Sequence, residues 1–138
     1  MINYKFKNLK IGKKKKFKIK ITKKLLEQFK NLSKDNNPLH SNKIFAKKYK
    51  FKDKVVHGML VGAIFSRFIG TILPGKYAVI LEIKIKFNNP LYINDTLSIE
   101  GKVINLSESY KIATIEITAK NQFNKKISYS ESIVKLNE

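Results

Sequence analysis

Cysteine is absent from this 138-residue chain. That excludes a disulfide framework, a thiolate metal site and a cysteine nucleophile, and it fits a reducing compartment. A cytoplasmic location is therefore expected. Tryptophan is also absent, and there are only 3 prolines and 6 glycines. That is too few for a collagen-like repeat or a Pro/Gly-rich disordered chain. Arginine occurs once, at Arg67, among 29 basic residues. Dedicated readers of nucleic acid lean on arginine's bidentate fork, so its scarcity argues against specific nucleic-acid recognition. Acidic residues number 10, which leaves a formal net charge of +19. A field of that sign attracts polyanions. Yet the lysines come with abundant asparagine and isoleucine, the trio that AT-rich codons specify, so most of them read as a solvated face.

No membrane or targeting segment is expected. The first ten residues lack the continuous apolar run of a secretory signal. The longest apolar stretch, Val55 to Leu73, contains His57, Ser66 and Arg67. A charge at bilayer depth is expensive, so the stretch reads as a buried helix and no membrane partner is expected.

What is present is a globular composition, 43% hydrophobic and 11% aromatic. Chains of this length bury roughly 68% of their unfolded surface, enough for one core. With no repeat and no linker, residues 1–138 read as a single domain. Phe17, Ile19 and Ile21 alternate with Lys16, Lys18 and Lys20, the pattern of an edge strand with lysine outward. Thr22 is placed to cap a helix from Lys23 to about Leu32. A polar loop, Ser33 to Ser41, follows, with Pro38 preventing helix continuation. Ser41 is placed to cap a short helix from Asn42 to Tyr49.

The apolar helix, Gly58 to about Ile72, is stopped by Pro74-Gly75 and is hydrophobic nearly all round, so it needs wrapping on most sides. The rest of the chain supplies strands. From Ala78 to Phe87, Val79, Leu81, Ile83, Ile85 and Phe87 alternate with Glu82, Lys84 and Lys86. Leu97 to Leu106, Tyr110 to Gln122 and Ile127 to Leu136 give three more strands. Early helices and late antiparallel strands make an α+β fold. The expected architecture is a hot-dog: a curled antiparallel sheet wrapped around one long central helix.

The chemistry lies in Ser33-Lys34-Asp35-Asn36-Asn37-Pro38-Leu39-His40, a carboxylate and an imidazole five residues apart in a loop pinned by proline. Alone, Asp35 reads as a turn or cap residue and His40 as a surface histidine. Further on come Val56-His57-Gly58-Met59-Leu60, then Ser66 and Leu73-Pro74-Gly75, with Phe87, Pro90 and Asp95 beyond. Together, from about Lys24 to the final strand, these residues resemble the MaoC-like family of (R)-specific enoyl-CoA hydratases. Ile83 and Asn94 stand where many members carry Gln and Gly.

The resemblance implies a homodimer that adds water to trans-2-enoyl thioesters, giving (R)-3-hydroxyacyl thioesters. The runner-up reactions are 3-hydroxyacyl-[acyl carrier protein] dehydration and non-catalytic acyl-thioester binding. The family's catalytic positions fall on Asp35, His40 and Ser66. Substrate binding falls on Gly58, His57 and Met59, with His57 also positioning the helix start. No cofactor and no metal is implied; coenzyme A or acyl carrier protein is the substrate's carrier. The residue types suit the reaction. Two acid–base groups on one water can remove a proton from it and return one to carbon. A helix N-terminus offers free N–H groups to a developing oxyanion.

Overall fold

Alternating strands and one apolar helix set the architecture. A computed structural model describes residues 2–138. In chain order these form β1 (Lys14–Lys20), α1 (Lys23–Ser33), α2 (Pro38–Ser41), α3 (Lys43–Lys48), α4 (Gly58–Thr71), β2 (Ala78–Phe87), β3 (Thr96–Ser107), β4 (Ile112–Lys120) and β5 (Lys126–Leu136). The strands make one antiparallel sheet in the order β1-β3-β4-β5-β2. α4 lies in the curl, burying Leu60, Val61, Ile64, Phe65, Phe68 and Ile69. Facing it are Ile99, Val103, Ile115, Ile117 and Val134 of the sheet. The hot-dog arrangement expected from the sequence is therefore the observed one.

Gly101 lets helix and sheet close up. A Cβ built there would lie 2.2 Å from Cε1 of Phe68, so the Phe68 ring of α4 docks on bare backbone. β1 presents Lys14, Lys16, Lys18 and Lys20 to solvent, which discourages pairing on that edge. Thr22 caps α1 as expected, its Oγ1 accepting from the N–H of Leu25 at 3.2 Å. No helix among the described residues is long and apolar enough to cross a membrane.

Three local expectations are corrected. Pro38 does not break a helix but starts one: α2 has Pro38 in its first turn and Asn37 as its cap. Proline suits that position because the N–H it lacks has no intrahelical acceptor there. α3 is capped by Asn42, whose Oδ1 accepts from Phe45 N at 3.0 Å, and not by Ser41. In β2 the apolar alternation does not mark one face. A bulge between Ile80 and Glu82 shifts the register against β5, and one extra residue flips the side chains that follow. Ala78, Ile80, Ile83 and Ile85 pack on the core, while Val79 and Leu81 turn outward.

α4 is also less fully wrapped than its composition suggests. Met59, Ala63, Ser66 and Arg67 form an exposed stripe at three- and four-residue spacing.

Candidate active site

The site begins where α1 ends. Lys34 adopts a left-handed conformation, φ 57°, and reverses the chain. A ladder of short side-chain bonds then holds the loop. Ser33 Oγ accepts from Asp35 N at 3.2 Å, Asp35 Oδ1 from Asn37 N at 3.1 Å, and Asn37 Oδ1 from Leu39 N at 2.9 Å. These Asx and Ser turns are local, which is why the run Ser-x-Asp-Asn-Asn-Pro folds this way. They occupy one carboxylate oxygen of Asp35 and leave Oδ2 free.

α2 carries His40 across from Asp35. The His40 Nδ1 lies 2.6 Å from the carbonyl oxygen of Val55. A carbonyl only accepts, so Nδ1 carries the hydrogen and Nε2 presents its lone pair to the site. His40 Nε2 and Asp35 Oδ2 are 3.8 Å apart. That is too long for a direct hydrogen bond, and short enough for both atoms to hold one oxygen at ordinary hydrogen-bond lengths.

His57 lies behind this pair. Its Nε2 is 3.1 Å from the main-chain oxygen of Asp35, and its ring stacks on His40 with centroids 3.8 Å apart. Phe29 also packs against it, tilted by 55° with centroids 5.2 Å apart. The His57 side chain is 2% exposed, against 48% for Asp35. His57 therefore lies beneath the site, and Asp35 is the member open to a ligand.

α4 starts one residue later. The N–H groups of Gly58 and Met59 open the helix and have no acceptor within it. A Cβ on Gly58 would fall 2.8 Å from Cε1 of Phe87, so glycine lets that ring lie over the helix start. All of these groups line one cleft of about 460 Å³, within the range of small-molecule sites. Its apolar walls include Phe29, Phe51, Val61, Leu91 and Ile127.

Asp35, His40, His57, Gly58 and Met59 are thus brought together, as the sequence led us to expect. Ser66 is not. It lies eight residues along α4 from Gly58, about 12 Å at 1.5 Å per residue, on the exposed stripe and outside the cleft lining. Sequence reasoning missed the walls Phe29, Phe51 and Ile127, which carry no motif. It also missed the link from His57 to Asp35, which no spacing rule reports.

One donor atom from each of Asp35, His40 and His57 lies within 4.8 Å of the others, a set a divalent ion could use. However, the hydrogen that His57 Nε2 gives to the Asp35 carbonyl occupies its lone-pair position. Two protein ligands remain, fewer than the three of typical catalytic zinc sites.

Comparison with known proteins bears on the family and the fold. Residues 6–126 match the family described as MaoC like domain. An (R)-specific enoyl-CoA hydratase of Aeromonas caviae is 36% identical over 108 residues, covering 78% of this chain and 81% of that protein. The unliganded R-hydratase PhaJ1 of Pseudomonas aeruginosa superposes with a TM-score of 0.90 at 29% identity, over 99% of this chain and 87% of that one. A mitochondrial 3-hydroxyacyl-[acyl-carrier-protein] dehydratase of Arabidopsis thaliana is 38% identical over 72 residues, covering 52% of this chain and 42% of that protein.

Proposed function

This chain belongs to the MaoC like domain family, and from that premise and the site's geometry we infer that it is an (R)-specific enoyl-CoA hydratase. It adds water reversibly to a trans-2-enoyl thioester to give the (R)-3-hydroxyacyl thioester. The observation that carries this reading is the 3.8 Å gap between Asp35 Oδ2 and His40 Nε2, both facing a cleft that also holds the start of α4.

The two atoms are acceptors, so a water between them donates one hydrogen to each. As the water oxygen bonds to C3, the carbon–carbon π electrons move toward the thioester carbonyl. The pair takes one proton from the water. Negative charge on the carbonyl oxygen is met by the Gly58 N–H, in the positive field at the start of α4. The pair then returns a proton to C2, and the thioester carbonyl re-forms. Proton removal and proton return occur on one face of the double bond, which makes the addition syn. The apolar walls exclude water from the acyl chain and orient it, and no bound cofactor enters any of these steps.

The test is to follow enoyl absorbance and free thiol together with crotonyl-CoA. Loss of enoyl absorbance without thiol is the expected result. Thiol release with absorbance unchanged would make the protein a thioesterase, and no reaction at all would leave a binding domain. The carrier is a second question. The net charge of +19 suits an acidic carrier protein as well as the phosphates of coenzyme A. The partial similarity to the plant dehydratase points the same way. Rates with crotonyl-CoA and a crotonyl carrier protein, compared at equal concentration, decide between them.

We also propose that the working form is a cytoplasmic homodimer. The exposed stripe of α4 and the outward Val79, Leu81 and Phe87 of β2 present apolar surface beside an open sheet edge. Any role for Ser66 belongs to that face. Sedimentation should give twice the chain mass of 16.0 kDa, and Leu81→Glu should shift the protein toward the mass of a single chain. A wild-type monomer would remove the proposal.

A further inference from the structure

Three residues ahead of α4 tie the two halves of the site together. Val55 donates its N–H to Leu39 O at 3.1 Å and accepts from His40 Nδ1 at 2.6 Å. Val56 N donates to Leu91 O at 2.8 Å, anchoring the segment to the cleft's far wall. His57 Nε2 reaches Asp35 O at 3.1 Å. The next residue is Gly58, where α4 begins. Each member of the acid–base pair is therefore bonded to the segment that carries the proposed oxyanion donor.

His57 is the member of this strap whose side chain does the holding. The Asp35 carbonyl can only accept, so the His57 hydrogen sits on Nε2. The other nitrogen, Nδ1, is buried with no partner among the described residues. A hydrogen there would be an unsatisfied buried donor, so the local bonding selects one tautomer. The ring is also held by aromatic neighbours, stacked on His40 at 3.8 Å and tilted against Phe29 at 5.2 Å. The side chain is 2% exposed, with Nε2 committed to the Asp35 carbonyl and Nδ1 buried.

We propose that His57 is a positioning residue: through its Nε2–H it fixes the Asp35 main chain, and hence Oδ2, relative to the Gly58 N–H. This rests on the hydratase reading above. The physical reason is that water delivery and oxyanion stabilisation must act on one substrate at once, and displacement of a reacting group by about 1 Å can cost about a hundredfold in rate.

Two substitutions separate this role from mere packing. The amide nitrogen of His57→Gln stands where Nε2 stood and keeps the donor. That of His57→Asn stands where Nδ1 stood and loses it. For crotonyl-CoA hydration, His57→Gln should keep kcat within about fivefold of wild type. His57→Asn should lower kcat by about tenfold to a hundredfold, with KM changed less than threefold. A role in binding substrate would raise KM instead, and a role in packing alone would lower kcat equally in both variants; either overturns the proposal. The chain has only 2 histidines, so imidazole nitrogen NMR gives a readout independent of turnover. His40 should be protonated at Nδ1 and His57 at Nε2; an Nδ1-protonated His57 contradicts the proposal. If wild-type protein lacks hydratase activity while the tautomers are as stated, the functional reading fails and the strap geometry stands.

Discussion

Replacing Asp35 by Asn, or His40 by Asn, should each lower hydration turnover by at least about a hundredfold without unfolding the protein. The variants are chosen so that structure survives. In Asp35→Asn the Oδ1 that accepts from Asn37 N is retained, and only the free oxygen becomes an amide nitrogen. In His40→Asn the amide nitrogen replaces Nδ1 and keeps the bond to Val55 O, while Nε2 is deleted. What each loses is an acid–base group facing the cleft, and such groups contribute about 10²–10⁴-fold. Because the two atoms act on one water, the double variant should be little worse than either single one. Circular dichroism and unfolding midpoints close to wild type would show that chemistry, not folding, was lost. Turnover within tenfold of wild type in both single variants would remove the site assignment.

The second large effect concerns the core. Phe68→Ala should destabilise the fold by about 3–5 kcal/mol, the range for emptying a buried aromatic site. Phe68 is fully buried and stacks on Phe17 with centroids 6.2 Å apart. Its ring covers Gly101, where a Cβ would come within 2.2 Å of it. Gly101→Ala should therefore also be costly, by about 1–3 kcal/mol for overpacking. The two should not add. With the ring removed, the new methyl enters the vacated space, so the double variant should be no less stable than Phe68→Ala alone. Urea unfolding of the three variants measures this. Additive losses would mean that the ring does not rest on Gly101.

How much of this was legible in the sequence follows from the range of the forces involved. The Thr22 cap, the end of α4 near Pro74-Gly75 and the strands β3 to β5 rest on local bonding and short periodicity, and they were readable. Pro38 was misread because the same missing N–H that breaks a helix interior is harmless in a first turn. The β2 bulge was hidden because Ala78 to Leu81 are all apolar and mark no face, so alternation is legible only from Glu82 onward; the slip is set by pairing with β5, which is a tertiary event. Asp35 and His40 stood out as a pair only through the family resemblance, since each alone reads as an ordinary loop residue. That His57 holds Asp35 was not legible, since it depends on two segments 22 residues apart meeting through a main-chain oxygen. The distance of Ser66 from the pair could have been foreseen, because helix rise alone places it about 12 Å from the start of α4.

The claim that one water is held between Asp35 and His40 is tested most directly by hydrating crotonyl-CoA in deuterium oxide and determining the configuration at both carbons of the product. The account predicts a single diastereomer, with the hydroxyl at C3 in the (R) configuration and the C2 deuteron added to the same face. Addition to opposite faces, or a mixture at C2, would contradict it, since one clasped water served by one pair cannot reach both sides of the double bond.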